Sequence, residues 1–281
     1  MNDIKLILEQ AIKALAPTSP SARIDVELLL MKVLNVSRTF FYAHPEATLT
    51  PDQQEQYQAL LKQRMIGTPI AHLTGIREFW SLPLNVSSHT LIPRPETELL
   101  VELTLNQLAE TTTTSVLDLG TGSGAIALAL ASERPHWHVL ACDKSHAAVN
   151  MARKNATQLG INNLNVLCSN WFDSIPNQQF NAIVSNPPYI AEHDPHLAQG
   201  DVRFEPLDAL ISGKDGLDAL NYLIEHSQKW LVAGGLLLLE HGFDQGAAVT
   251  SALKKHGYES VHCWQDWQGH DRVSGGSKQK V

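Results

Sequence analysis

The segment Ser115-Val116-Leu117-Asp118-Leu119-Gly120-Thr121-Gly122-Ser123-Gly124-Ala125-Ile126-Ala127-Leu128 sets the architecture of this chain. A short apolar run enters a cluster of glycines and leaves it as an apolar, alanine-rich segment, the order expected of a buried strand, a tight turn and a helix. Glycines in such a turn admit backbone torsions, and a close ligand approach, that a Cβ would block. The spacing is G-x-G-x-G, whereas the dinucleotide fingerprint is G-x-G-x-x-G. Ala125 stands where the third dinucleotide glycine would be. Taken alone, the turn is weak evidence, because a tight turn with no ligand needs the same residues.

Downstream, strands are predicted over residues 139–143, 164–169 and 182–185, with helices running to Arg134 and Leu159 between them. A helix around 217–230, a strand over 236–240, a helix around 247–256 and a strand near Val261 continue the alternation. Alternation of this kind implies an α/β fold, a parallel sheet with helices on both faces. The tail Ser274-Gly275-Gly276-Ser277-Lys278-Gln279-Lys280 is polar and is expected to fray rather than to close the sheet as a final strand.

Upstream the pattern is helical. Ile4, Leu8, Ile12 and Leu15 recur at three- and four-residue spacing, and Val26, Leu29, Leu30, Val33 and Leu34 repeat that spacing after Pro20. Thr50, Pro51 and Gln53 have the form of a capping box with proline at the first helical position, opening a helix toward Gly67. Phe79, Trp80, Leu82, Leu84 and Val86, then Leu91 and Ile92, suggest two short strands. Pro93-Arg94-Pro95-Glu96 opens a helix through Leu108, and the run Thr111 to Thr114 separates it from the first strand of the sheet. Three regions follow: a helical domain over 1–75, a hairpin linker over 76–92 and an α/β domain over 93–281.

Bulk properties narrow the classes. The net charge of −8 over 281 residues argues against affinity built on neutralising many phosphates, so no direct nucleic-acid binding is expected. No apolar run approaches the ~18 residues of a membrane span, and the N-terminus lacks a secretory signal, so a cytoplasmic location is expected. Cys142, Cys168 and Cys263 offer no C-x-x-C pair and read as small core residues of strands. His193 and His196 form an H-x-x-H, but Asp194-Pro195 lies between them and no third ligand is indicated; no metal is expected.

Ligands of open α/β sheets bind outside the carboxyl ends of the strands, so the residues that follow strands carry the chemistry. Asp143 ends the second strand, about 20 residues past the glycines, where an acid accepts hydrogen bonds from ribose hydroxyls. The same charge would also favour the N-terminus of the helix beginning near Ser145. Ser169-Asn170-Trp171-Phe172 follows the third strand; Trp171 suits an adenine face, or the core. The fourth strand leads into Asn186-Pro187-Pro188-Tyr189. Two prolines make a stiff loop. Asn186 offers a side-chain carbonyl, Pro187 a backbone carbonyl and Tyr189 an aromatic face, a set that suits a flat NH₂ group.

With these motifs the sequence closely resembles the HemK/PrmC family, the protein-glutamine methyltransferases that modify the Gly-Gly-Gln motif of class 1 peptide chain release factors. The likeness also includes Leu91-Ile92-Pro93-Arg94-Pro95-Glu96-Thr97-Glu98 and Asp201-Val202-Arg203-Phe204-Glu205-Pro206, and covers nearly the whole chain. It implies a helical N-terminal domain that helps recognise the release factor, a hairpin linker and a seven-stranded class I (Rossmann-like) methyltransferase domain using S-adenosyl-L-methionine. By position, Gly120, Thr121, Gly122, Ser123, Gly124, Asp143 and Trp171 would hold the cofactor. Asn186 would touch cofactor and substrate, and Pro187, Pro188 and Tyr189 would complete the glutamine pocket. Arg94 and Glu98 are expected to salt-bridge at the domain junction, and Arg203 and Glu205 to order their loop. Asn170 stands where family members often carry aspartate, which removes a charge from the adenine side.

Methylating an amide is difficult because its lone pair is delocalised, as the ~18–20 kcal/mol rotation barrier attests. Two acceptors whose bonds strengthen as charge grows on nitrogen would supply about 1.5–3 kcal/mol each. In-line alignment would contribute up to about 7–11 kcal/mol more. Two other substrates share the loop: a glutamine of a large-subunit ribosomal protein, and the amine of adenine in nucleic acid. An adenine-modifying enzyme must capture an extruded base and usually bears a basic groove, against which the acidic balance counts. A cofactor-binding regulator without catalysis is disfavoured by the intact loop.

Overall fold

The computed structural model describes residues 3–110 and 113–280; of the threonine run, Thr111 and Thr112 lie outside the described residues. The chain forms two compact units, Met1–Ile76 with His196–Phe204, and Arg77–Pro195 with Glu205–Val281.

The first unit contains α1 (Ile4–Leu15), α2 (Ala22–Leu34), α3 (Thr39–Ala43), α4 (Pro51–Met65) and α5 (Ile70–Thr74). Asp3 starts α1 by accepting from the Leu6 N–H at 2.8 Å. The capping box at Thr50 and Gln53 forms with both bonds present. Leu15, Val26, Leu29, Leu30 and Tyr57 make the core. Beside it, the Arg64 guanidinium meets buried Asp25 at 2.7 Å and faces Asp201 at 3.8 Å. Arg203 donates to the Ile66 carbonyl at 3.1 Å, tying its segment down as expected of a loop-ordering residue. The two five-residue helices escape periodicity because so short a segment completes hardly more than one turn.

The second unit opens with a hairpin of β1 (Ile76–Phe79) and β2 (Leu82–Asn85). Trp80 and Ser81 both take positive φ, 53° and 59°, as a two-residue primed turn requires. Leu91 and Ile92, read above as strand, lie outside any strand. The Ile92 N–H is taken by the Glu205 carboxylate at 2.9 Å rather than by a neighbouring strand. A 3₁₀ turn, Pro95–Thr97, leads into α6 (Glu98–Gln107).

The remaining elements are β3 (Ser115–Leu119), α7 (Ala125–Glu133), β4 (His138–Asp143), α8 (His146–Leu159), β5 (Leu164–Cys168), β6 (Phe180–Ser185), α9 (Asp218–His226), β7 (Leu231–Glu240), α10 (Gly246–Lys255), β8 (Glu259–Gln265) and β9 (Asp271–Ser277). Among the described residues, seven strands join in the order β5-β4-β3-β6-β7-β9-β8. Val116 packs into the apolar cluster on one face, Leu117 and Leu119 into that on the other. A strand buried on both faces must be apolar throughout, which is why β3 reads as a continuous run.

The expected frayed tail is instead β9, antiparallel to β7 and β8 and lying between them. Its polarity misleads because the strand is made of small residues that suit a crowded slot. At Gly275 a Cβ would collide with the Leu237 carbonyl and the Leu238 side chain. Ser274 is buried but bonded to His241 Nε2 at 2.8 Å. The cysteine reading also needs correction: Cys142 is buried, whereas Cys168 and Cys263 are only half-buried.

Candidate active site

The chain leaves β3 toward β4 and β5 on one side and returns to β6 and β7 on the other, so the sheet has its switch point between β3 and β6. Leu119 pairs with Ser185 there, and the Ser185 hydroxyl donates to the Leu119 carbonyl at 2.6 Å. The glycine turn and the Asn186 loop therefore emerge side by side.

A cavity of about 520 Å³ opens at this point. Its wall contains Gly120, Gly122, Asp143, Trp171, Asn186 and Pro188 of the residues singled out above, together with Asn170. Asp143 Oδ2 accepts the Gly122 N–H at 2.9 Å and Oδ1 the Ser145 N–H at 2.8 Å. It thus braces the glycine turn and the start of α8, while each oxygen keeps a lone pair. Trp171 takes φ 48°, and its ring lies 3.5 Å from where a Cβ on Gly120 would stand. Asn186 Nδ2 donates to the Thr97 hydroxyl at 3.1 Å.

Thr121, Ser123, Gly124, Pro187 and Tyr189 are not in the cavity wall. Thr121 turns inward and donates to Asp118 Oδ2 at 2.6 Å. The Ser123 carbonyl accepts from Asn155 Nδ2 at 2.9 Å, and Gly124 is the N-cap of α7. Pro187 is buried. The Tyr189 hydroxyl lies 3.4 Å from Glu240 Oε1, while its carbonyl accepts from Gln245 Nε2 at 3.0 Å. Arg94 pairs with Glu205 at 2.6 Å, and Glu98 accepts the Trp80 N–H at 2.8 Å. Together with the bond to Ile92, this makes Glu205 the hub that holds its own loop to the segment before α6.

Sequence reasoning passed over three residues behind the wall. Asp118 is an acid inside an apolar strand, and Glu240 is the acid that closes one; both patterns were legible as anomalies. Thr97 carries no such signal. Burial raises the Asp118 carboxyl to about 7 against the hydrogen bond from Thr121, with the Asp143 charge adding to the rise. Burial likewise raises Glu240 to about 7, opposed by Thr97, Arg272 and Tyr189.

Between the unfolded carboxylate value near ~4 and about 7, folded Asp118 holds a proton that the unfolded chain has lost, so its contribution to stability falls as pH rises through that window. Asp118→Asn should therefore gain stability relative to the parent between pH 5 and pH 8. Thermal midpoints of the two proteins, measured across that range, check this; a pH-independent difference would refute it.

Among the described residues no cluster of three or more His, Cys, Asp or Glu side chains could hold a metal ion, and no helix is long and apolar enough to cross a membrane.

The switch-point cavity, the glycine turn and the seven-stranded order with one antiparallel strand define a Rossmann-like methyltransferase domain. Residues 94–202 match the sequence model of the Methyltransferase small domain, and residues 7–75 that of the PrmC N-terminal domain. The chain is 53% identical to the release factor glutamine methyltransferase of Escherichia coli (strain K12) over 267 residues, 95% of this chain and 96% of that protein. It is 48% identical to the Pseudomonas aeruginosa enzyme of the same name over 258 residues, 92% and 93% of the two chains. The chain belongs to the release factor glutamine methyltransferase family. Its fold is similar to a methyltransferase from Pyrococcus furiosus, with TM-score 0.54 and 19% identity, covering 81% of this chain and 99% of that one. The hMettl16 catalytic domain, in complex with MAT2A 3'UTR hairpin 6, gives TM-score 0.58 and 18% identity over 79% and 82% of the chains, a likeness of fold alone.

Proposed function

We propose that this protein transfers a methyl group to the side-chain amide nitrogen of the glutamine in the Gly-Gly-Gln motif of class 1 peptide chain release factors. The observation that carries the reading is that Asn186 and Pro188 share one cavity wall with Gly120, Asp143 and Trp171. An acceptor-bearing loop and a nucleoside-type site thus meet at the switch point of the sheet.

The cavity suits S-adenosyl-L-methionine in size and in donor set. Its volume lies within the ~300–1,000 Å³ of small-molecule sites. Asp143 has lone pairs for ribose hydroxyls, Trp171 offers a ring for the adenine, and Gly120 leaves space that a side chain would fill. The bound cofactor supplies a methyl group on a positively charged sulfur. Asn186 Oδ1 and the loop's backbone carbonyl accept from the glutamine NH₂ and favour charge on its nitrogen as the N–CH₃ bond forms and the S–CH₃ bond breaks; the sulfur would leave as a neutral thioether and one N–H proton would pass to water. No base able to ionise an amide is required. The helical unit would provide the grip on the release factor.

Labelled S-adenosyl-L-methionine offered in parallel with a purified release factor, a ribosomal protein and nucleic acid tests the assignment. Label should enter the release factor; entry into nucleic acid alone would overturn it. Trp171→Ala should weaken S-adenosyl-L-methionine binding by about 1–2 kcal/mol, roughly tenfold, as loss of one stacked ring does. Calorimetric titration checks this, and unchanged affinity would remove Trp171 from the adenine site.

A further inference from the structure

We propose that Asn155 is a positioning residue for the cofactor: its amide locks the end of the hairpin strand β2 to the glycine turn, so that cofactor in the cavity and order in the hairpin favour one another. The inference rests on the functional reading above, in which the cavity holds S-adenosyl-L-methionine.

Asn155 is an anomaly in its own helix. The buried residues of α8 are Ala148, Val149, Ala152, Asn155 and Ala156, so an amide occupies a face otherwise built of small apolar side chains. It is 1% exposed, and a polar group so buried is costly unless its hydrogen bonds are made. Here every one is made. Oδ1 accepts from the Asn85 N–H at 2.8 Å and from Asn85 Nδ2 at 2.7 Å. Nδ2 donates to the Asn85 carbonyl at 3.0 Å and to the Ser123 carbonyl at 2.9 Å. Both lone pairs and both N–H groups are thereby used. Toward Asn85 the side chain behaves as a neighbouring strand would, taking both backbone groups of one residue. A flipped amide would set NH₂ against N–H and oxygen against two carbonyls, so the network fixes a single orientation.

The far end of that network is the turn that forms the cavity wall. Gly122 of the wall directly precedes Ser123, and its N–H is held by Asp143 Oδ2 at 2.9 Å. A Cβ on Gly124 would stand 3.1 Å from the Ala152 Cβ, so α8 lies against the turn there as well. The glycines that admit such close packing give the turn little stiffness of their own. Its position is therefore set from outside, by Asp143 at Gly122, by Asn155 at Ser123 and by Ala152 at Gly124. On the hairpin side, Asn85 Nδ2 has a second tie to α8, donating to Gln158 Oε1 at 2.7 Å. Among the described residues, the cavity wall includes neither Asn85 nor Asn155. An influence of Asn85 on the cofactor thus reaches the turn through Asn155, the residue bonded to both. Such coupling is reciprocal: what the hairpin contributes to cofactor affinity, the bound cofactor returns as order in the hairpin.

Asn155→Ala, and the isosteric Asn155→Asp, which puts a carboxylate oxygen where the donor was, are expected to weaken S-adenosyl-L-methionine binding by on the order of tenfold. Their kcat at saturating cofactor should stay within a few-fold of the parent. Asn85→Ala removes only the side-chain part of the contact and should lower affinity a few-fold; in an Asn155→Ala background it should lower it no further. Calorimetric titrations well below each thermal midpoint measure these losses. Hydrogen exchange supplies a readout that needs neither substrate nor variant: S-adenosyl-L-methionine should slow exchange of the Asn85 backbone N–H in the parent several-fold. An Asn155 that only supports the fold would lower the thermal midpoint on substitution and leave the cofactor affinity of the folded protein unchanged, a result that overturns the proposal. Additive losses in the double variant would overturn it too, as would cofactor binding without slower exchange at Asn85; both leave the functional reading intact. If the parent does not bind S-adenosyl-L-methionine, that reading falls and the inference falls with it.

Discussion

Asn186→Ala is expected to fold normally, to bind S-adenosyl-L-methionine within a few-fold of the parent, and to lose about 10²–10³ in kcat, the cost of removing one preorganised hydrogen-bond partner at a developing charge. Its side chain is held to Thr97 and lines the cavity without supporting a core, so the substitution leaves no large void. Pro187 and Pro188 still stiffen the loop. What disappears is the acceptor that strengthens its bond as charge grows on the glutamine nitrogen. Single-turnover rates at saturating cofactor give the size of the loss. A rate within a few-fold of the parent would show that Asn186 is no part of the transfer.

Gly216→Ala should damage catalysis from outside the cavity wall. Gly216 takes φ 80°, and a Cβ there would overlap the Tyr189 carbonyl oxygen and crowd Gln245 Nε2 at 2.7 Å. Gln245 Nε2 is also the donor that holds the Tyr189 carbonyl, at 3.0 Å. The new methyl group therefore presses on the last residue of the acceptor loop and on its anchor at once. Positive φ adds roughly 1–2 kcal/mol of backbone strain. Misplacing catalytic groups by about 1 Å costs on the order of 10²-fold, and kcat/KM should fall by that amount. Kinetics well below the thermal midpoint separate this from simple unfolding. A variant with a lowered midpoint but parental kcat/KM would show that the loop tolerates the displacement.

The order of strands and helices from Ser115 onward was legible because β3 and α7 are buried and apolar, and because the glycines between them leave no other reading of the turn. The capping box at Thr50 was legible for a similar reason: a cap is a contact between near neighbours in the chain. β9 was misread because composition reports polarity, while the fit of Gly275 between β7 and β8 depends on residues that approach only in the folded sheet. Within the glycine turn, the direction in which Thr121 points, toward Asp118, and the bond from Asn155 to the Ser123 carbonyl were not legible for the same reason, since both partners meet the turn only in the folded chain.

Asn186-Pro187-Pro188-Tyr189 announces its chemistry within four consecutive residues, because stiffness and acceptor atoms are properties of the chain itself. The direction in which Asn186 points is of another kind. It depends on Thr97, 89 residues earlier, whose hydroxyl oxygen accepts from Asn186 Nδ2 at 3.1 Å. Chain-local covalent structure thus accounts for the alternating architecture and for the loop that can hold a flat amide. Folding alone brings the hydroxyl and the amide together, since a hydrogen bond exists only where its partners are within about 3 Å and shielded from water.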